Sequence, residues 1–376
     1  MISLMQEMGN RALALGVPLS VQMDVTYRCN ERCVHCYLDH DDHGEMTTAE
    51  IQGVLRQLAE AGVFFLIFSG GEVCMRMDFF ELVEYARALM FSVKVKTNAF
   101  MIGGKEADRL AAVHIDAVQV SIYSHRSEVH DAITKLPRSL ERSIAGIRRL
   151  RDRGVKVILA NVLMRSNFQD YVGVKALAQE LGAQFTIDPT ITPMMDGDRS
   201  ILSLGIDQDE LRQVFRDQGL VGNVDEFCAP PAGPLAEADA MDTIPCSAGH
   251  TACYISPYGD VYPCVQFPLP SGNVRRSKFL DIWRGSPELN EVRSITVSDV
   301  QGCSQCVHGS SCTRCPGLAY MEGNMRGPSV QDCEKSFART GVPSVNLQKK
   351  KPSMAQLVQI RMMPAAVPTA AATPVG

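Results

Sequence analysis

Cys29, Cys33 and Cys36 stand in a CxxxCxxC spacing directly after an extended apolar stretch, and Tyr37 follows at once. Three thiolates on one short loop can wrap three corners of an iron–sulfur cubane and leave its fourth iron open, since a closed tetrahedral site needs four protein ligands. An open iron is a place where a ligand that is not protein can bind and react. The loop also admits a zinc knuckle with His35 or His40 as fourth ligand, although a lone histidine in such a loop is more often solvated or packed. A second candidate is Ser69-Gly70-Gly71-Glu72. Two glycines let the backbone turn and approach a ligand closely, and a carboxylate there accepts hydrogen bonds from an ammonium group.

Thirteen cysteines need an explanation, and eleven of them fall into two spaced groups. The odd total and the grouping favour ligation over disulfides in a chain expected to be cytoplasmic. The second group begins Cys246-x6-Cys253-x5-Gly259-x4-Cys264, continues Cys303-x2-Cys306-x5-Cys312-x2-Cys315 and ends at Cys333. Eight cysteines suit two four-ligand sites, and CxxC pairs alone would also allow two structural zincs. Cys74, two residues past Glu72, reads as a buried small hydrophobe, with a redox or substrate role as the rival reading. Cys228 has no assignment, and Asp188, at the end of a strand, either faces a substrate or caps.

The elements that must position these residues alternate in type. Strands are expected at 20–25, 63–68, 91–97, 116–122, 155–162 and 184–188, from period-two or continuous apolar patterns. Helices are expected between them. Thr47 with Glu50 and Asp78 with Glu81 carry capping-box signatures, while Leu140, Ile144, Ile147 and Leu150 form one apolar helical face. Six such units imply an α/β fold with a parallel sheet wound as a partial (β/α)6 barrel, which places ligands at the carboxyl ends of its strands. The expected organisation is an N-terminal segment 1–19, the barrel 20–189, an irregular bridging region 190–245, a small cysteine-rich domain 246–346 and a disordered tail 347–376.

Composition narrows the function classes. With 376 residues and 45% hydrophobic residues the chain has room for two or three domains with real cores, and its net charge of −5 carries no basic stripe for nucleic acid. The longest apolar run, 63–68, is far short of a membrane span, and Gln6 and Glu7 interrupt the first residues where a secretory signal would be apolar.

The cysteine triplet followed by an aromatic residue, with Gly-Gly-Glu after the second strand, resembles the radical S-adenosylmethionine (SAM) superfamily over residues 20–188. The resemblance implies a [4Fe–4S] cluster on Cys29, Cys33 and Cys36, whose open iron binds the amino and carboxylate groups of SAM. Gly70, Gly71 and Glu72 match the motif that contacts the methionine amino group, and Ser121 occupies a position where related enzymes often contact SAM. The later cysteines are similar to the SPASM extension, which carries two auxiliary [4Fe–4S] clusters. By that pattern Cys246, Cys253, Cys264 and Cys315 hold one cluster and Cys303, Cys306, Cys312 and Cys333 the other. One spacing departs: the last short gap is two residues, where the family usually has three.

An enzyme of this kind cleaves SAM reductively to a 5′-deoxyadenosyl radical, with electrons from a low-potential donor. The expected outcome is oxidative modification of a peptide or protein, as a crosslink, a thioether or an oxidised side chain. Haem or other small-molecule side-chain modification and sulfatase maturation are the rivals within the same chemistry. The residues before the first strand are too few for a folded leader-binding domain, so leader recognition would need a separate leader-binding protein or the barrel itself. A reading from another class is a non-catalytic iron–sulfur electron carrier or a zinc-organised binding protein. Neither of those would need an open iron beside Gly70-Gly71-Glu72.

Overall fold

The computed structural model describes residues 4–233, 243–309, 312–344 and 346–347. The tail expected beyond 347 lies outside them, as does part of the bridging region. Six parallel strands, β1 (Ser20–Asp24), β2 (Phe65–Ser69), β3 (Ser92–Thr97), β4 (Ala117–Ser121), β5 (Val157–Val162) and β6 (Gln184–Asp188), lie in sequence order in one unclosed sheet. Helices α1 (Leu4–Leu15), α2 (Thr48–Glu60), α3 (Phe79–Ala88), α4 (Gly104–Ala112), α5 (Ser127–Thr134), α6 (Ser139–Asp152) and α7 (Tyr171–Glu180) precede or connect them. The α/β partial barrel is therefore present.

Period-two alternation decides which face of the sheet does what. Val21, Met23, Leu66, Phe68, Val93, Val95, Val118, Val120, Val157 and Leu159 are buried in one core with Leu55, Leu58, Val83, Leu110 and Leu150 of the helices. The opposite face carries Gln22, Ser69, Lys96, Gln119, Ser121, Thr186 and Asp188, and these line a cavity. A polar barrel interior backed by an apolar helix layer is the outcome of that alternation.

Two local expectations resolve differently. At α2 the capping box forms as read: Thr47 Oγ1 accepts from Glu50 N at 3.3 Å and Thr47 N donates to Glu50 Oε2 at 2.7 Å. At α3 Asp78 occupies the cap position without capping, because its carboxylate accepts from Arg76 Nη2 at 2.9 Å and Thr48 Oγ1 at 2.5 Å. Arg76 is itself fixed by the carbonyls of Val25 and Met46, at 3.1 and 2.8 Å. A charge-assisted bond to a pinned guanidinium outcompetes a cap to backbone N–H.

The helix α5 was not expected. Its sequence signal is short, Val129 and Ile133 at i and i+4, and no side chain caps its start. In the bridging region short helices form at Gln208–Val214, Gln218–Val221 and Val224–Phe227.

The cysteine-rich stretch continues the barrel's sheet. Strand β7 (Ala252–Ile255) pairs parallel with β1, and β8 (Val261–Tyr262) pairs antiparallel with β7, so the order is β6-β5-β4-β3-β2-β1-β7-β8. Cys253, Ile255, Val261, Phe279 and Trp283 are buried in the same core as Val21. Trp283 Nε1 also donates to the Gly16 carbonyl at 2.8 Å. Ile255 is fully buried, and Ile255→Ala is expected to cost about 2–5 kcal/mol. Calorimetry should show the whole barrel transition moving down; an unmoved barrel transition would mean that β7 is not part of its cooperative unit.

Candidate active site and its cysteine cavities

Cys29, Cys33 and Cys36 meet in one place. All three line a cavity of ≈530 Å³ over the carboxyl ends of the strands, together with Gly70, Gly71 and Ser121. The size is that of a small-ligand site. No cysteine of the chain is in a disulfide. The loop that carries the triplet is held by α5, whose terminal carbonyls of Thr134 and Ile133 accept from Arg32 N at 2.9 Å and Val34 N at 3.0 Å. Behind the loop, Glu45 accepts from Thr26 Oγ1, from Tyr27 N at 3.1 Å and from Arg28 Nη2 at 3.1 Å. None of these supports was singled out in the sequence, and only the i, i+4 apolar pair of α5 could have pointed to one.

Gly70 and Gly71 do their packing against protein. A Cβ on Gly70 would lie 2.2 Å from the Thr26 carbonyl oxygen, and one on Gly71 would lie 2.5 Å from the carbonyl oxygens of Tyr27 and Arg28. Gly71 N donates to Thr26 O at 2.8 Å and Glu72 N to Arg28 O at 2.9 Å, so the turn after β2 is stitched to the approach of the cysteine loop. Gly70 has φ +143°, outside the range L side chains favour.

Glu72 differs from the sequence expectation of a carboxylate facing a ligand. It is fully buried and does not line the cavity. Its carboxylate accepts from Cys74 N at 3.0 Å, from Thr97 Oγ1 at 2.7 and 2.8 Å and from Asn98 N at 2.8 Å. Burial pushes its pKa up and these donors counter the shift. In this geometry Glu72 fixes the ends of β2 and β3 against each other, and Asn98 in turn donates to Asn30 of the cysteine loop at 2.8 Å.

The residues around the triplet fit a prosthetic group. Asn30 Nδ2, Glu31 Oε1 and His35 Nδ1 are buried without a hydrogen-bond partner on the same loop as the three thiols. Burial raises the Cys29 thiol to about 12, and a thiol must lose its proton to ligate a metal. His35 packs edge-on against Tyr123 at 4.7 Å, and burial lowers its pKa to about 4. His40 rests its Nδ1 3.4 Å from the Tyr27 carbonyl oxygen. Cys74 is partly buried against the main core and points burial's pKa shift upward, while Cys228 donates to the Phe215 carbonyl at 3.2 Å.

The later cysteines separate into two places. Cys303, Cys306, Cys312 and Cys333 line a second cavity of ≈280 Å³. Cys246 and Cys264 pack on the apolar group of Ala248, Phe267 and Val292. Cys315 lies within electrostatic reach of Cys246, and Cys253 on β7 within reach of Cys264. Val265 and Gln266, which follow Cys264, line the first cavity. The cysteine-rich part thus contributes to the wall of the barrel cavity.

A buried hydrogen-bond chain joins the two halves at β1. Tyr27 Oη and Tyr254 Oη are 2.7 Å apart, Tyr254 Oη donates to Asp24 Oδ2 at 2.9 Å, and Gln22 Nε2 donates to Asp24 Oδ1 at 3.3 Å. Lys96 Nζ, on the cavity wall, donates to Gln22 Oε1 at 2.9 Å. Burial pushes Asp24 up to about 6, against the lowering effect of Tyr254, Gln22 and Lys96. Because the folded value lies above the unfolded one, folding takes up a proton here: this contribution is full below about pH 4, is lost as pH rises to about 6, and is constant above. The loss is about 3 kcal/mol. Asp24→Asn, which stays neutral, should gain that amount relative to the wild type between pH 4 and 7 in denaturant titrations; parallel pH curves would contradict the assignment.

Among the described residues no helix is long and apolar enough to cross a membrane. Family models match residues 23–176 as the radical SAM superfamily and residues 246–316 as SPASM, an iron–sulfur cluster-binding domain. The mycofactocin maturase MftC of Mycobacterium tuberculosis is 30% identical over 310 residues, covering 79% of this chain and 78% of that protein. An AdoMet-dependent heme synthase of Methanosarcina barkeri is 26% identical over 324 residues, covering 81% of this chain and 92% of that protein. The crystal structure of Streptococcus suis SuiB bound to S-adenosylmethionine superposes with a TM-score of 0.69 at 19% identity, covering 85% of this chain and 77% of that one. The chain belongs to the radical SAM superfamily as a SPASM-containing enzyme, with a [4Fe–4S] cluster, SAM and auxiliary iron–sulfur clusters as its cofactors.

Proposed function

We propose that this enzyme oxidatively modifies a peptide or protein, forming a crosslink, a thioether or an oxidised side chain. The observation that carries the reading is that one cavity is walled both by Cys29, Cys33 and Cys36 and by Val265 and Gln266 beside Cys264. A substrate held there lies between the site where hydrogen is taken and the domain able to take the electron left behind. The maturase relative at 30% identity supports a peptide substrate, and so does the fold shared with SuiB, a chain also crystallised with its precursor peptide SuiA.

In this reading Cys29, Cys33 and Cys36 hold the first cluster, whose chemistry when bound is the reductive cleavage of SAM that starts hydrogen abstraction. Gly70 and Gly71 offer main-chain groups at the cavity wall, Ser121 offers a hydroxyl from β4, and Glu72 holds the turn and Asn98 in place. Cys246, Cys253, Cys264 and Cys315 hold one auxiliary cluster, and Cys303, Cys306, Cys312 and Cys333 the other. A low-potential electron donor and, for a leader-bearing substrate, a separate leader-binding protein complete the system, which works in the cytoplasm.

Heme synthase relatives favour one rival, the modification of porphyrin side chains. Anaerobic protein reconstituted with iron and sulfide should be incubated with SAM, reductant and the short peptides encoded beside its gene, and read by mass. Loss of two hydrogens from a peptide is the expected result; loss of carbon dioxide from a porphyrin, with peptides untouched, would overturn the peptide reading.

Iron content tests the ligand sets separately. The wild type should bind about twelve irons, and Cys306→Ala should lose about four of them while still cleaving SAM. Loss of SAM cleavage in that variant at full occupancy of the first cluster would contradict the assignment.

A further inference from the structure

Among the described residues the sheet protects one of its edges and leaves the other without a strand partner. On one side β1 is covered by β7, and the terminal strand β8 is only two residues long. On the other side β6 runs five residues and, among the described residues, pairs with β5 alone. The Asp188 carbonyl accepts from Leu163 N at 2.9 Å, so in this parallel ladder residues 184, 186 and 188 turn their main-chain groups toward β5. Phe185 and Ile187 turn theirs to the open side. Neither of those N–H groups bonds to a described residue outside the ladder. An unpaired row of this kind is a template for another strand.

The open edge is also the open wall of the cavity. Thr186, Ile187 and Asp188 line it, and Gln184, Thr186 and Asp188 are exposed, whereas the inward residues Gln22, Lys96, Gln119 and Ser121 of β1, β3 and β4 are only half-exposed. Hydrogen abstraction from an unactivated carbon needs solvent kept out. Beyond β6 the cavity is bounded by Thr190, Ile191 and Thr192, and Ile187 packs against the cluster of Leu163, Phe168, Tyr171 and Val214, but among the described residues no strand pairs with the β6 edge.

We propose that an extended segment of the peptide substrate adds to β6 as a ninth strand of the sheet. The added main chain pairs with Phe185 and Ile187, closes the cavity wall, and presents its reacting residue beside Thr186 and Asp188. Main-chain pairing supplies affinity without reading sequence, and the pleat supplies selection, since only alternate side chains of an added strand turn inward. Modified positions in a substrate with more than one should therefore stand at i, i+2 or i+4 relative to each other, with an odd number of residues between them. The inference rests on the peptide reading above.

Hydrogen exchange of the reconstituted enzyme, with and without the peptide it turns over, tests this directly. The amides of Phe185 and Ile187 should exchange about tenfold or more slowly with the peptide bound. Methylating the peptide nitrogen at alternate residues around the modified one should abolish turnover, and methylating the intervening ones should not. A peptide that is modified without protection at β6 and without this alternation overturns the ninth strand and leaves the peptide reading standing. Protection that depends on protein concentration in the absence of peptide identifies a second copy of this chain as the occupant and overturns the proposal. If a porphyrin is turned over and no peptide is, the peptide reading fails and the ninth strand falls with it.

Discussion

The close approach of the turn at Gly70-Gly71 to the carbonyls of Thr26, Tyr27 and Arg28 is the constraint on which the site depends. It leaves no room for a Cβ at either glycine, and it ties the end of β2 to the segment that leads into Cys29. Arg76 reinforces the join through the Val25 carbonyl, and Glu72 extends it to the end of β3 through Thr97 and Asn98. Three strand ends and the cysteine loop are thereby referred to one another through protein contacts, the kind of support that holds a site in a fixed geometry.

The second large feature is that the cysteine-rich part is built into the barrel's sheet. A tethered module would keep freedom to move against the barrel, whereas β7 on β1 and the Tyr27–Tyr254–Asp24 chain fix Cys253 and Cys264 relative to the cavity. Under the proposal that Cys253 and Cys264 help hold an auxiliary cluster, this fixes the distance between that cluster and the cavity. The cost is a buried carboxylate at Asp24, tolerated because a hydroxyl, an amide and the nearby charge of Lys96 answer it.

Much of this was legible in the sequence. The barrel strands were readable from apolar periodicity because β1 to β5 each bury one face in a core and β6 rests Phe185 and Ile187 against one, and the capping box at Thr47 was readable because its partners are local. The cysteine spacings were readable because ligand sets are constrained along the chain. What was not legible depends on contacts distant in sequence. Asp78 reads as a cap until Arg76, pinned from Val25 and Met46, takes its carboxylate. Glu72 reads as a ligand-facing acid until Thr97 and Asn98 surround it. The helix α5, too short for a strong pattern, gains its role only by meeting the cysteine loop, and β7 could not be placed beside β1 from its four residues.

The central claim is that Cys29, Cys33 and Cys36 leave one iron open to SAM inside this cavity. Electron paramagnetic resonance of the dithionite-reduced, reconstituted protein with and without SAM tests it most directly. The account predicts a [4Fe–4S]-type signal that changes on adding SAM, with the SAM-sensitive component missing in Cys33→Ala while the auxiliary signals remain. A spectrum indifferent to SAM, or zinc bound at the triplet in place of iron, would contradict it.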